Sequence, residues 1–379
     1  MPLLKNVGST NLDVKKTNRN LILKYIFSKE NTSRQDIASS LHMSMPTVLV
    51  NINELQEVGI VTDNGRYEST GGRKAAVICS VPDYRYGVGV DITRKHIKVV
   101  IVNLVGETKI EKRVSKPYED SAGYYQFLQS LVWETVRELG IKEDSVLGIG
   151  ISFPGFISED GQKVTDSYAL KVKNVDCSRI AGELPWSSTL INDASAAGLA
   201  ELALSDFDRT MAYLSLSDSV GGAVIIHGNL YSGMTGKGGE FGHMRIVPGG
   251  KQCYCGQKGC LDAYCSTLQF YRFSEEGHIK AFFERMWNGD KECVELWKDY
   301  KRYLSIAIIN LRMNFDCDIV LGGYMGEWLE PYLNEIKDEV RTLNPFESDC
   351  SYVSICRLKK YTSAIGAALE PIHFYMDRF

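Results

Sequence analysis

Four of the chain's ten cysteines, Cys253, Cys255, Cys260 and Cys265, crowd into one short stretch, while the other six are scattered. A chain of 379 residues buries enough apolar surface to need no disulfide staples, so this crowding points to a metal and not to bridges. With His243 the segment reads H-x9-C-x-C-x4-C, ending at Cys260. Three thiolates and one imidazole are the donor set of a closed tetrahedral zinc site; with no position left for water, the ion is structural. Gly249, Gly250, Gly256 and Gly259 let the loop fold tightly around it.

The N-terminal region has a different texture. Residues 17–28 place Leu21, Ile22, Tyr25 and Ile26 on one helical face. Ser33 caps the next helix, with Asp36 three residues on, and Ile37, Ala38 and Leu41 form its buried side. Ser44 is a second cap, Pro46 sits in the first turn, and Val48, Ile52 and Leu55 recur at helical spacing until Gly59 ends the run. Ile60-Val61, a polar turn at Asp63-Asn64-Gly65 and the run Lys74 to Ser80 then read as a hairpin. Residues 1–80 are thus expected to form an N-terminal winged helix-turn-helix, an α+β DNA-binding domain. They carry ten Lys and Arg against seven Asp and Glu, whereas the remainder carries 33 against 40. A mildly basic head on an acidic body suits double-stranded DNA as partner. The second short helix would enter the major groove with Ser44, Pro46, Thr47, Val50 and Asn51 near base edges, Asn51 reading adenine and the apolar side chains reaching thymine methyls. That helix has no Lys or Arg, so phosphate contacts fall to Lys15, Lys16, Arg19 and Arg34.

A linker is expected around Val81-Pro82-Asp83. Beyond it, strands alternate with helices in two similar halves, near 87–200 and 210–370, which indicates an α/β body; lobes are assigned to 85–200 and 201–379. There is no apolar run long enough to span a bilayer and no apolar leader in the first twenty residues, so the expected setting is the cytoplasm, without a membrane partner.

The run GGEFGHMRIVPGGKQCYCGQKGCLDAYCS (238–266) resembles the signature of the ROK family of repressors, open reading frames and sugar kinases. ISFPGFIS (151–158), LINDASAAGLAE (190–201) and IVLGGYM (319–325) are similar to three further elements of that family. The resemblance implies a two-lobed actin-like ATPase/ribonuclease-H-like fold for the body. It also implies a sugar pocket built from Gly155, Asn192, Asp193, Glu240, His243 and Asp262, the last where most members have Glu. Asp193 would be the general base of a kinase, and His243 would hold zinc through one nitrogen and face a sugar hydroxyl with the other. Taken by itself, Asn192-Asp193 also reads as a plain helix N-cap. Gly71-Gly72-Arg73-Lys74 is similar to the family's G-G-R-P wing, whose Arg can enter an A·T-rich minor groove; Lys74 stands in place of the Pro.

The phosphate side departs from the kinase members. Their D-x-G-G-T-K is here Asp91-Ile92-Thr93-Arg94-Lys95-His96, and their G-T-G-x-G-G-G is Ser217-Asp218-Ser219-Val220-Gly221-Gly222-Ala223. Thr93 and Arg94 crowd a backbone that glycines would open to phosphate, and Asp218 puts negative charge where a triphosphate would lie. The expectation is therefore a repressor and not an enzyme, with Asp193 a vestigial base. Its partners would be operator DNA and a sugar or sugar-derivative effector, and it would work as a homodimer or a dimer of dimers. The alternative is an ATP-dependent sugar kinase of the same family.

Overall fold

Helix starts organise the N-terminal unit. The computed structural model describes residues 11–29, 31–66, 76–205, 208–274 and 278–379. After α1 (Asn11–Phe27), Ser33 accepts a hydrogen bond from the Asp36 amide and Asp36 accepts one in return from the Ser33 amide, opening α2 (Arg34–Ser40). Ser44 likewise accepts from the Thr47 amide and opens α3 (Met45–Val58). Each cap satisfies a backbone donor that the first turn would leave unpaired. Ile22, Leu23, Ile26, Ile37, Val48, Ile52 and Leu55 are fully buried and form the shared core of the three helices.

Next comes an antiparallel ribbon of β1 (Val61–Arg66) and β2 (Ala76–Ser80). The polar turn expected at Asp63-Asn64-Gly65 is instead part of β1. Asp63 pairs opposite Ile78 and its carboxylate accepts from Gln56 Nε2 at 2.8 Å, while a bulge between Asp63 and Arg66 absorbs the Asn-Gly pair. The wing segment Gly71–Lys74, with Arg73, lies outside the described residues. The expected linker is a short turn, Pro82–Tyr84, tied to the body: the Leu104 amide donates to the Pro82 carbonyl and Asn103 Nδ2 to the Asp83 carboxylate.

The body repeats one topology. β3 (Tyr86–Ile92), β4 (His96–Asn103) and β5 (Thr108–Ser115) form an antiparallel meander, and β6 (Val146–Phe153) runs parallel to β3. A small sheet of β7 (Phe156–Ile157), β8 (Lys163–Ser167) and β9 (Val172–Asp176) interrupts before β10 (Ser188–Asn192) adds parallel to β6, giving the order β10-β6-β3-β4-β5. The second sheet has the same plan. β11 (Met211–Leu216), β12 (Val220–Ile226) and β13 (Asn229–Leu230) are a meander, and β14 (Asp318–Gly322) and β15 (Val353–Ile355) follow in parallel, in the order β13-β12-β11-β14-β15. α4 (Ala122–Leu139) and α5 (Cys177–Ala181) cover the first sheet. Two helices then follow the last strands of the halves, α6 (Asp193–Ala203) after β10 and, at the end of the chain, the helix Thr362–Met376 after β15. Between them α7 (Asp262–Cys265), α8 (Leu268–Tyr271), α9 (Ile279–Trp287), α10 (Lys291–Phe315), α11 (Gly326–Leu329) and α12 (Leu333–Leu343) build the core of the second sheet, so the final helix is α13.

The two post-strand helices are exchanged. α6 packs on β11 and β12 of the second sheet, and α13 packs on β3, β4 and β6 of the first. The segment 201–379 therefore returns its last helix to the lobe formed by the earlier strands. Glycines permit this approach: a Cβ at Gly89 would lie 1.9 Å from the Ala364 carbonyl oxygen, and one at Gly150 1.9 Å from that of Ala367. α6 and α13 also touch each other, with Gly366 against the Ala196 carbonyl. At its far end α13 meets the N-terminal unit. Leu369, Ile372 and Met376 share one apolar cluster with Ile22 and Ile26, Asn20 Nδ2 donates to the Met376 carbonyl at 2.9 Å, and Lys24 pairs with Asp377 at 3.5 Å. Among the described residues no helix is long and apolar enough to cross a membrane.

Gly89→Ala forces a methyl into the α13 backbone, so it should destabilise the body by about 1–3 kcal/mol or more, as overpacked cores do. A urea-unfolding midpoint matching the wild type would show that α13 is not seated on β3 as described.

Candidate ligand and metal site

The segment after β13 is held by its own backbone. The Ile246 and Val247 amides donate to the Gly259 carbonyl, the Gly259 amide to the Lys251 carbonyl, and the Cys253 amide to the Gln257 carbonyl. Gly259 has φ +84°, and a Cβ there would lie 1.8 Å from the Val247 carbonyl oxygen, so the hairpin closes only with glycine at this position. The Tyr264 hydroxyl accepts from the Lys251 amide at 2.7 Å and ties the hairpin to α7.

This folding brings His243, Cys253, Cys255 and Cys260 together, their ligand atoms all within 4.8 Å of one another. Cys255 Sγ and Cys260 Sγ are 3.8 Å apart, and Cys253 Sγ is 3.8 Å from His243 Nδ1. A tetrahedron with metal–sulfur bonds of about 2.3 Å has edges of roughly 3.8 Å, so the four side chains are spaced to hold one metal ion. Burial holds the His243 pKa below its ordinary value, favouring the neutral ring that a metal needs. Cys265 lies outside the group, its thiol against the Tyr300 carbonyl.

Of the residues expected to contact a sugar, Gly155, Asn192 and Asp193 meet at the N-terminus of α6, Glu240 is near enough for Asp193's charge to act on it, and His243 and Asp262 lie with the cysteine hairpin and β12. Asn192 is the N-cap: its Oδ1 accepts from the Ala194 and Ser195 amides and its Nδ2 donates to the Gly155 carbonyl at 3.1 Å. The N-cap reading of Asn192 holds, and the cap residue also anchors the Gly155 turn. Burial, and then the charge of Asp91, push the Asp193 carboxyl up to about 6. Burial, and then the charge of Asp193, push Glu240 to about 7. Both carboxyls are thus harder to ionise than exposed ones. Asp262 is buried, raised to about 6 by that burial, and accepts from the Val220 amide at 2.7 Å, so one of its oxygens serves the β12 backbone. His243 Nδ1 faces the cysteines while its Nε2 lies 3.3 Å from the Tyr254 hydroxyl.

In the segments 91–96 and 217–223 polar side chains find partners within the chain. Asp91 pairs with Lys98 at 2.8 Å and accepts from Ser152 Oγ at 3.0 Å. Burial works against the Lys98 charge, yet Asp91 outweighs it and holds the ammonium above its ordinary pKa. Thr93 closes a turn onto His96, and Arg94 donates to the Ala169 carbonyl. Asp218 accepts from Thr267 Oγ1 at 2.8 Å and from the Tyr271 hydroxyl at 2.5 Å. Lys98, Tyr254, Thr267 and Tyr271 escaped the sequence reading. Lys98 left one signal: it is the only charge in the apolar run Ile97–Val102, and in the hairpin register it stands opposite Asp91.

On the N-terminal unit, α3 exposes Ser44, Met45, Pro46, Leu49 and Val50, with Thr47 half-buried beside them. Asn51 was expected on this face and is not there. It is buried, and its Nδ2 is spent on the Thr47 carbonyl at 2.8 Å, because Asn51 falls on the same side of the helix as Val48, Ile52 and Leu55. Lys15 and Arg19 pair with Glu54, and Arg34 with Asp63 at 3.8 Å. Lys16 is exposed.

Residues 87–369 match the profile of the ROK family, and the chain belongs to that family. It is similar to the xylose repressor of Bacillus subtilis (strain 168), 26% identical over 374 residues that span 96% of this chain and 97% of the relative. A solved ROK family transcriptional regulator, a homolog of the E. coli MLC protein, superposes with a TM-score of 0.76 at 22% identity, covering 96% of this chain and 97% of its own. A ROK family glucokinase from Streptomyces griseus, in complex with glucose and AMPPNP, superposes with a TM-score of 0.65 at 23% identity, covering 75% of this chain and 98% of its own. The two structures establish the fold of the body.

The raised carboxyls set a pH dependence. Asp193 and Glu240 titrate near 3.8 and 4.5 when unperturbed and near 6 and 7 in the fold. Between about pH 4 and pH 7 the native state therefore binds more protons than the unfolded chain, and their contribution to stability falls as pH rises. Asp193→Asn with Glu240→Gln should remove that contribution. Its urea midpoint should drop less than that of the wild type between about pH 5 and pH 7.5, and an unchanged slope would place the two carboxyls in open solvent.

Proposed function

We propose that this chain is a DNA-binding transcriptional repressor of carbohydrate-metabolism genes whose operator affinity is set by a sugar bound between the two lobes of its body. The observation that carries this reading is the N-terminal unit. Three helices, the second and third opened by serine caps, and an antiparallel ribbon are the elements of a winged helix-turn-helix, and the outward N-terminal end of α3 is the part such a motif puts in the major groove. The glucokinase is matched over nearly its whole length by three quarters of this chain, whereas the Bacillus subtilis xylose repressor is matched nearly end to end. With Asn51 inside, base reading falls to Ser44, Pro46, Thr47 and Val50, with Met45 and Leu49 offering apolar contact to thymine methyls. Arg34 and Lys16 would reach phosphates, with Arg73 and Lys74 on the wing segment.

The body retains the side that grips a sugar. Asp193, Glu240 and His243 offer acceptors and a ring nitrogen, Asn192 an amide hydrogen, and Gly155 a close-fitting wall. The other side argues against phosphoryl transfer. Asp218, Thr267 and Tyr271 satisfy one another, and Lys98 is committed to Asp91. The fold is then an actin-like ATPase fold used as a sensor, and Asp193 is a base without a phosphate to serve. The metal centre would be zinc: three thiolates and an imidazole at tetrahedral spacing suit that ion, with no open position for catalysis. His243, Cys253, Cys255 and Cys260 would hold it, and its role would be to fix the segment that carries Glu240. Two heads on a homodimer would meet two half-sites of a palindromic operator.

Fluorescence anisotropy on DNA from upstream of the chain's own coding sequence tests the reading. The wild type should bind, and neutral sugars such as D-xylose should weaken binding or strengthen it. Val50→Glu should lower operator affinity by about tenfold or more, as a charge turned onto base edges would. Asp193→Ala should bind DNA but lose the sugar response. No binding under any sugar condition sinks the repressor reading, and ATP-dependent sugar phosphorylation lost in Asp193→Asn would replace it with the kinase reading.

Elemental analysis should find one zinc per chain. Cys260→Ser should lose most of it and melt at lower temperature, and full metal retention in that variant would remove Cys260 from the ligand set.

A further inference from the structure

Tyr254 stands between two metal ligands, Cys253 and Cys255, so its backbone is fixed while its ring remains free to turn about two side-chain torsions. Its hydroxyl is 3.3 Å from His243 Nε2, the ring nitrogen directed away from the cysteines. Its ring lies 5.9 Å from that of Tyr168, which follows β8 on the first lobe, and Tyr168 is edge-on to Phe156 at 6.4 Å. From the second lobe, Lys237 Nζ lies over the other end of this arc, 5.6 Å from the centre of the Phe156 ring. The metal hairpin thus bridges to the first lobe through an aromatic chain beside the Gly155 turn. Tyr254 and Tyr168 each keep about half of their surface open, 51% and 50%. Tyr254 also feels the charges of Asp262 and Glu240, so it borders the carboxylates of the cleft.

We propose that Tyr254 is the gate and specificity residue of the effector cleft: its hydroxyl holds the His243 Nε2 position that an effector hydroxyl must take, and its ring, backed by Tyr168, forms the wall against which the C–H face of a neutral sugar packs. The inference rests on the cleft being a sugar site. Entry of the effector exchanges one hydrogen bond for another at Nε2 and turns the phenol aside, so the hydroxyl opposes binding while the ring supports it. An aromatic ring with two torsions supplies such a wall at low entropic cost. The opposition of ring and hydroxyl separates this role from a structural one.

Calorimetry of the zinc-loaded full-length chain with D-xylose and D-glucose reads both contributions. Tyr254→Phe keeps the wall and removes the competing hydroxyl, so it should bind the preferred sugar about threefold or more tighter than the wild type. Tyr254→Ala should bind it about tenfold more weakly. Tyr168→Ala, remote from the metal ligands, should weaken binding several-fold with zinc content unchanged, and it carries the test if Tyr254→Ala loses its metal. Wild-type affinity in Tyr254→Phe, or equal losses in Tyr254→Phe and Tyr254→Ala, overturns the gate while leaving the repressor reading intact. Binding by Tyr254→Phe where the wild type binds neither sugar supports a gate closed in the resting state. No binding by any of these proteins overturns the gate together with the sugar assignment, while operator binding measured separately still decides the DNA reading.

Discussion

The structure depends on the contact of α13 with two neighbours at once. On one side its backbone lies against Gly89 and Gly150 of the first sheet, and on the other its Gly366 meets the Ala196 carbonyl on α6. These contacts are closer than any side chain would permit, so α13, the first sheet and α6 cannot slide past one another without losing packing on every face. The exchange of helices follows the same logic. Because α6 belongs by connection to the first half and by packing to the second, and α13 the reverse, the lobes share their interior and are joined through a helix pair, not through a linker.

The cleft that this pair underlies is electrostatically one-sided. Asp193 and Glu240 are held above ordinary carboxyl pKa values by burial and by neighbouring negative charge, and Asp262 by burial. Lys98 neutralises Asp91 without relieving that group as a whole. Each of these buried carboxyls disfavours further negative charge beside it. On the neighbouring side, Asp218 accepts from Thr267 and Tyr271, and Asp91 accepts from Ser152 and pairs with Lys98, so both carboxylates find partners within the chain.

Features governed by local chemistry were legible in the sequence. Ser33 and Ser44 announce their helices because a cap depends on the next three residues alone, and the His243, Cys253, Cys255 and Cys260 cluster is readable because its members are close in sequence and unusual in kind. What escaped depends on tertiary context. Asn51 looks polar and outward in isolation, but the helix phase puts it on the buried side, where Thr47 supplies a partner. Asp63-Asn64-Gly65 carries turn chemistry, yet Arg34 and Gln56 hold Asp63 in the strand and a bulge accommodates the rest. The Asp91–Lys98 pair required the hairpin register, and the path of α13 required contacts between residues far apart in sequence, such as Gly89 and Ala364, which no spacing rule reports.

The same helix links the N-terminus of α6 to the N-terminal unit. α6 begins at Asn192 and Asp193, so any ligand that moves those residues acts on the first turn of α6, one turn from Ala196. Ala196 bears on Gly366, and α13 runs from there to Met376 and Asp377, where Asn20 and Lys24 of α1 are attached. α1 in turn is joined to α3 by the Glu54 ion pairs with Lys15 and Arg19 as well as by the shared apolar core. The exposed ion pairs contribute little energy individually, so transmission would rest on the packed apolar surface, with the polar contacts setting register. Because α13 is locked between the first sheet and α6, it can only carry a change to α1 by moving together with them. α1 shares its core with α3, so a change of α13 that reaches α1 also reaches the helix whose first turn is exposed.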